Sequence, residues 1–338
     1  MRVVITGSDG YVGAFIVERL LSLGHEVVGI DNQQRWGPGT RGFYEHRDFT
    51  FIRGDAADSS LVESACNGAQ HLILAAATVG DVRSFHASPY SIFRDNELLG
   101  LAGLDAAIAW VNKGSDLKVT LLSSSMVYES ACTWPSTEGS ELTIAPPKTS
   151  YGLQKLAFES AAKAAAKQYG LRYTILRLFN VVGVPQSLMA VARREKSNAN
   201  LPGLSHVLPD LVRKSMQTAE SLEVLGKGSQ VRHFTHGSDI AEALSLSLIS
   251  DAAINEDFNV AHHTGVAVEG LVKKIWAVIH GPGVKPDVVP SEAIPNDVNW
   301  SEPDVSKAQR LLGFSASIGI DETIREVVEF VRISESDL

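Results

Sequence analysis

Residues 3–13 read VVITGSDGYVG, an apolar run closing at Thr6 with glycines at positions 7, 10 and 13. The run Val3–Thr6 has the length and apolarity of a buried strand. The stretch Gly13–Leu23 has helical periodicity and stops before Gly24, a residue suited to end a helix. The three glycines therefore sit at a strand-to-helix junction. Gly7 suits a tight turn, and Gly10 lets the backbone approach a pyrophosphate. Gly13 lets the helix pack closely on the strand, and the helix N-terminus offers unpaired N–H groups with a partial positive charge. Three glycines in a turn also suit ligand-free packing. Their place at the first strand-to-helix junction favours a dinucleotide.

The alternation continues outward. Strand candidates are Glu26–Ile30, Thr50–Arg53, His71–Ala75, Val119–Ser123 and Tyr173–Arg177, separated by the helical patterns Leu61–Cys66, Ser91–Trp110 and Tyr151–Tyr169. Near-continuous apolar strands between helices indicate βαβ units and a parallel sheet covered on both faces, so the expected class is doubly wound α/β. After Arg177 the pattern loosens. Gln186–Ser205 is polar and reads as a long loop or lid. A helix over Asp210–Ala219, a strand over Leu222–Leu225, a helix from Asp239, a strand over Phe258–Ala261 and a helix over Val268–Ile279 follow. The Pro-rich stretch Pro282–Pro303 leads to helices starting near Val305 and Ile320.

Two domains are expected from 338 residues. Residues 1–180 with about 231–262 make the dinucleotide unit; 181–230 with 263–338 make a smaller α/β lobe for the substrate. Lys+Arg is 30 against Asp+Glu 39, a net charge of −9, which argues against a nucleic-acid backbone as partner. Cys66 and Cys132 cannot make a disulfide framework, which suits a reducing compartment. No apolar run reaches the roughly 18 residues of a membrane span, and no signal peptide is apparent. A cytoplasmic enzyme is the expectation.

The second strand ends in VVGID, which sets Asp31 18 residues beyond Gly13. A carboxylate there accepts hydrogen bonds from a ribose diol and repels a 2′-phosphate, favouring NAD over NADP. Arg35 nearby keeps NADP open. Asp55, after the third strand, could hydrogen-bond an adenine amino group, and Asp after Gly is also routine turn chemistry. Further along, one strand ends in LLSSSMVY, a helix opens with SYGLQK, and the next strand ends in RLFNVVG. Tyr151 and Lys155 are four apart and share a helix face. A phenol with an ordinary pKa near 10 is a poor base at neutral pH, and an ammonium one turn away would favour its ionised form. A hydroxyl at the neighbouring strand end could bond the same substrate oxygen.

With TGSDGYVG, LAAATVG, SSSMVY, YGLQK, RLFNVVG, VRHFTHGSDIA, FNV and PDVSKAQRLLGF all in place, the chain resembles an extended short-chain dehydrogenase/reductase. It is similar to the branch of NAD-dependent nucleotide-sugar epimerases and dehydratases, UDP-glucose 4-epimerase-like, from Arg2 to about Phe330. The resemblance implies a Rossmann fold, NAD as cofactor and a nucleotide sugar as substrate. It implies Tyr151 as catalytic base and acid, Lys155 on the nicotinamide ribose, and Ser124, four residues before Tyr128, as the catalytic hydroxyl. Expected cofactor contacts are Gly7, Gly10, Tyr11, Val12, Asp31, Asn32, Asp55, Ala56, Ala75 and Ala76, with Tyr151 and Lys155. Expected substrate contacts are Arg83, Ser84, Ser124, Ser125, Met126, Asn180 and Arg232, the last two on a sugar diphosphate. A homodimer through the helices Ser91–Trp110 and Tyr151–Tyr169 is also implied.

The positions after the catalytic serine select among reactions. Dehydratases of this branch usually carry carboxylates there, whereas this chain has Ser125 and Met126. What remains is oxidation and re-reduction of a hydroxyl-bearing carbon, giving an epimerase at C4. A sugar reductase or dehydrogenase, a dehydratase with an unconventional acid, and a non-catalytic NAD binder are the alternatives. Two departures stand out. Glu129 follows Val-Tyr where the branch has Gly, and residues 292–297, EAIPND, lack the branch's second diphosphate arginine. Either Arg193, Arg194 or Lys285 replaces that clamp, or the substrate is unusual. Trp134 and Trp300 read as packing residues, Thr137 and Glu138 as possible sugar contacts. The scattered histidines have no metal spacing, so no metal is expected.

Overall fold

The computed structural model describes residues 1–34, 41–79, 87–195, 207–218, 220–226, 228–291, 298 and 300–334. Strands β1 (Arg2–Thr6), β2 (Glu26–Asp31), β3 (Phe49–Arg53), β4 (His71–Leu74), β5 (Lys118–Ser124) and β6 (Arg172–Leu178) appear within about two residues of their sequence positions. Short strands β7 (Val181–Val182), β8 (Ser221–Leu225), β9 (Val231–Arg232) and β10 (Thr235–His236) precede β11 (Glu256–Val260). β12 (Val266–Ala267) and β13 (Asp287–Ser291) complete the set. The central sheet has seven strands in the order β11-β6-β5-β4-β1-β2-β3, and every neighbouring pair is parallel.

Strand periodicity explains the two covered faces. Val3 and Ile5 point into one apolar cluster with Phe15, Ile16 and Leu20 of the helix Tyr11–Ser22 and Ile240 and Leu244 of the helix Gly237–Ile249. Val4, between them, points to the other face with Leu104 and Phe158, from helices Pro89–Asn112 and Ser150–Tyr169. The latter helix is fixed at both ends. Thr149 caps it by accepting from the Gly152 N–H at 3.1 Å, and Gly170 ends it in the left-handed region.

A third cluster, with Leu211, Val212, Leu222, Trp276, Val327 and Phe330, forms the core of the smaller lobe. One expectation is corrected there. Gln186–Glu195 is a helix, not a loop; Leu188, Met189 and Ala192 bury one apolar face, and its start is capped from elsewhere. The Glu18 carboxylate accepts from the N–H groups of Gln186 (2.9 Å) and Ser187 (2.8 Å). The remainder of that stretch, 196–206, lies outside the described residues. The Pro-rich segment contains β13, which runs parallel to β8. A smaller departure concerns the division of the chain. Ala308, Leu312, Phe314 and Ala316 pack in the cluster beneath the main sheet, because the helix Ser306–Leu312 lies over β11 rather than in the lobe.

Arg177, fully buried at the end of β6, is surrounded by acids. Its Nη2 donates to Glu141 (2.8 Å), Glu159 (2.7 Å) and Asp257 (2.7 Å), and its Nη1 to the Tyr128 hydroxyl (2.6 Å). These three carboxylates lie close enough to share an ion, but the guanidinium already occupies their centre. The cluster fixes Tyr128, which lines the functional cavity on its other side. Among the described residues, no helix is long and apolar enough to cross a membrane.

Candidate active site

Between β1 and β4 the strand order reverses, and there the carboxyl ends of the strands open a crevice. A cavity of about 740 Å³ runs from that crevice to the smaller lobe. Its first half is built by the glycine turn. Gly7 has φ +74°, and a Cβ on it would stand 2.7 Å from the Ala76 Cα. A Cβ on Gly13 would stand 1.9 Å from the Gly7 carbonyl oxygen, so the helix can approach only without a side chain. The Thr6 hydroxyl accepts from the N–H groups of Ala75 (3.3 Å) and Ala76 (3.2 Å), holding the β4 end against the turn. Tyr11 lines the cavity and donates its hydroxyl to the Gly183 carbonyl at 2.7 Å.

Asp31 closes this half. Its Oδ2 accepts from the Asp9 N–H at 3.0 Å and its Oδ1 from the Gln33 N–H at 2.7 Å. Burial pushes its pKa up, with the two N–H bonds opposing. A carboxylate has lone pairs beyond those two, so a diol can still bond it. Asn32, Asp55 and Ala56 line the same end, and so does Val12. The cradle fits a dinucleotide: a backbone turn kept open by glycine, a helix N-terminus and a diol acceptor. Asp31, Gly7, Gly10, Tyr11, Val12 and Gly13 would hold it.

Ser124, Ser125, Met126, Tyr151, Asn180 and Arg232 line the second half. Ser124 closes β5 and accepts from the Met126 N–H at 3.2 Å; its hydroxyl also hydrogen-bonds the Tyr151 phenol. Lys155 lies behind, buried, with its Nζ donating to the Leu122 carbonyl at 2.9 Å and 5.8 Å from the Tyr151 ring centre. The electrostatics here depart from expectation. Burial pushes the Tyr151 pKa up, and the opposing influence is the bond from Ser124, not the Lys155 charge. Lys155 is itself pulled down to about 8 by burial, against the charges of Glu159 and Glu97. The low dielectric that stabilises neutral forms acts on both groups.

Asn180 adopts φ +34°, the left-handed region, which for a residue other than glycine carries strain and is best tolerated by Asn. Its side chain donates to the His233 carbonyl at 3.3 Å and its own carbonyl accepts from the Thr235 N–H at 3.1 Å, which hold it there. Arg232, on β9, bonds the Val231 carbonyl at 3.0 Å. Arg83 and Ser84 lie outside the described residues, as does Arg35. Arg193 does not serve the cavity: it pairs with Glu329 at 2.7 Å on the surface. Lys285 is exposed and away from the lining.

Three features escaped the sequence reading. Trp134 and Trp300, expected as packing residues, are 41% and 43% exposed and line the cavity mouth. Glu138 turns inward, where its Oε1 accepts from the Asn259 N–H at 2.8 Å, and does not line the cavity. Glu129 and Thr149 do line it. For Glu129 the spacing carries no signal: the turn after β5 brings it against Thr149, two residues before Tyr151.

A parallel sheet in this order, with a dinucleotide cradle at its switch point and a serine–tyrosine–lysine set beside it, defines a short-chain dehydrogenase/reductase. Residues 3–261 match the sequence profile described as the NAD dependent epimerase/dehydratase family, and the chain belongs to that family. NAD is the cofactor by which that family is defined. The chain is 25% identical to UDP-glucose 4-epimerase of Bacillus subtilis, over 95% of this chain and 94% of that protein. It is 25% identical to UDP-glucuronic acid decarboxylase 1 of Xenopus tropicalis, over 98% of this chain and 72% of that protein. The crystal structure of Thermus thermophilus UDP-glucose 4-epimerase in complex with NAD superposes with a TM-score of 0.78 at 26% identity, covering 98% of this chain and 99% of that one.

Proposed function

We propose that this protein is an NAD-dependent epimerase of a nucleoside-diphosphate sugar that inverts the configuration at C4. The observation that carries the reading is the meeting of Ser124 and Tyr151 at one cavity, with Lys155 buried behind the phenol, where positions 125 and 126 hold no carboxylate. Tyr151 takes the proton of the sugar hydroxyl and returns it after the carbon has been re-reduced. Ser124, bonded to the phenol, holds the same oxygen and steadies the phenolate as it forms. Lys155, whose Nζ donates to the Leu122 carbonyl behind the phenol, takes a nicotinamide-ribose hydroxyl in this reading. NAD, when bound, supplies the hydride acceptor and donor. Asn180 and Arg232 take the diphosphate, the guanidinium by paired charge-assisted hydrogen bonds.

The dehydratase reading draws on Glu129, a carboxylate in the cavity wall. Its Oε2 accepts both the N–H and the hydroxyl of Thr149, each at 2.9 Å, which fixes it as a holder of the helix cap rather than a mobile proton carrier. That favours the epimerase. A sugar reductase would consume its cofactor, whereas an epimerase recycles it.

The active unit is a homodimer in the cytoplasm. Leu98, Leu101 and Leu153 are 44%, 42% and 42% exposed on the helices Pro89–Asn112 and Ser150–Tyr169, an apolar face suited to a second copy. Residues 1–180 and 231–262 form the cofactor unit, and the rest forms the substrate lobe apart from the segment around 306–316.

Product analysis over a panel of UDP-sugars by mass spectrometry and NMR tests the reading, with absorbance at 340 nm followed in parallel. An isomer of unchanged mass with no net redox change is expected. Loss of water, or stoichiometric formation or consumption of NADH, would replace the reading. Tyr151→Phe should lower turnover by about 10³-fold or more while NAD still binds.

A further inference from the structure

Among the described residues, three other than glycine adopt a left-handed backbone: Asn180, Asn255 and Gln33, the last at φ +56°. Asparagine tolerates that region, whereas glutamine carries the ordinary strain of an L-residue there. The contacts of its side chain account for it. Gln33 is 8% exposed, and its Nε2 donates to Asp9 Oδ2 and to the Tyr44 hydroxyl, each at 2.9 Å. A carboxylate only accepts, which sets the amide nitrogen on that side. Tyr44, in the short helix Gly42–Glu45, donates in turn to the same Asp9 oxygen, and its ring stacks on Phe49 with centroids 5.9 Å apart. Asp9 is held a second time, by buried Arg41, whose Nη2 donates to the Asp9 carbonyl at 2.6 Å. These contacts close a ring. The two N–H groups that hold Asp31 come from Asp9 and Gln33, at 3.0 and 2.7 Å, and the Gln33 side chain joins those two residues. Asp31 lines the cavity, and Asp9 and Gln33 stand behind it.

We propose that Gln33 is a positioning residue for NAD: pinned by Asp9 and Tyr44, its left-handed backbone aims an N–H at Asp31 and locks that carboxylate for the adenosine-ribose diol. The proposal rests on Asp31 as the diol acceptor and not on which sugar the enzyme takes. With each oxygen held by one N–H group, the carboxylate plane is fixed, and the remaining lone pairs keep one direction. A diol that bonds both oxygens then meets an acceptor already in place, with no rotation left to freeze on binding. Without the side-chain anchor, the strained backbone relaxes out of the left-handed region, its N–H leaves Asp31 Oδ1 and the carboxylate can turn. The charge stays; the orientation is lost.

Isothermal titration of the nucleotide-free full chain with NAD, and with an NAD whose adenosine ribose lacks the 2′-hydroxyl, tests this. A general loosening of the fold weakens both ligands by the same factor, so the ratio of their dissociation constants reads the ribose contact alone. The wild-type protein should bind NAD roughly tenfold or more tighter than the deoxy analogue, the usual strength of a hydrogen bond to a charged group. Gln33→Ala should bring that ratio to within about threefold of unity. Tyr44→Phe keeps the ring and removes the phenol between Gln33 and Asp9; it should lower the ratio by about threefold, and it decides the matter where Gln33→Ala does not fold. A ratio unchanged in Gln33→Ala, or in Tyr44→Phe where Gln33→Ala does not fold, overturns the proposal alone. Equal binding of the two ligands by the wild-type protein removes Asp31 as the diol acceptor, and this proposal with it.

Discussion

At the scale of single residues, the site is governed by burial rather than by opposite charge. Tyr151 and Lys155 are both pushed toward their neutral forms, and the Ser124 hydroxyl is what opposes this at the phenol. The consequence for Lys155 has a definite sign. Its pKa lies at about 8 in the folded chain against 10.5 for an ordinary lysine. Between those values the unfolded chain holds a proton that the folded chain has released, so stability rises as pH rises through that window. Lys155→Met removes this contribution. Denaturant melts at pH 8 and pH 10 should show the wild-type protein gaining about 1–2 kcal/mol relative to the variant at the higher pH. A constant difference between the two proteins would show that Lys155 is charged when folded. Asn180 illustrates strain at the same scale: its left-handed backbone is imposed by the partners at His233 and Thr235 and aims a polar side chain at the cavity edge.

At the scale of elements, close approach is the controlling quantity. The helix Tyr11–Ser22 meets its turn so tightly that a methyl group at position 13 would overlap the Gly7 carbonyl. Gly13→Ala should therefore cost about 1–3 kcal/mol in a thermal melt and weaken NAD binding in a titration, because the turn must shift to admit the methyl group. Unchanged NAD affinity would mean that the cradle tolerates the shift. The strands β1 to β6 were legible because apolar runs of four to seven residues bounded by turn residues have few other uses. The helix Gln186–Glu195 was not. Its N-terminal cap is Glu18, 168 positions earlier in the chain, so the local sequence carried no starting signal. β13 was hidden because a strand containing Pro290 reads as a loop, and it is accommodated only as the partner of β8.

At the scale of the whole molecule, the sheet order sets the site. Only with β4 beside β1, and β5 and β6 beyond, do the glycine turn, Ser124 and Asn180 share one crevice. The exposed leucines at 98, 101 and 153 lie on the helices covering that part of the sheet, so the proposed dimer contact would include the helix that carries Tyr151. Leu98→Glu should convert a dimer into a monomer in light scattering coupled to gel filtration, because a charge would be buried in an apolar contact. A wild-type protein that runs as a monomer would remove the dimer from the account.

Position along the chain was enough to determine the parallel sheet and the glycine turn, and to set Tyr151 and Lys155 on one helix face. Each of these is local: a strand, a turn, or two residues one helical turn apart. Tertiary structure alone decided what surrounds them. It turned Glu138 inward, brought Trp134 and Trp300 to the cavity mouth and tied Arg193 to Glu329. It also set Glu129 against Thr149 and left one of its oxygens unpaired. The direction of a side chain and the dielectric around it depend on segments distant in sequence, and no spacing within the chain encodes them.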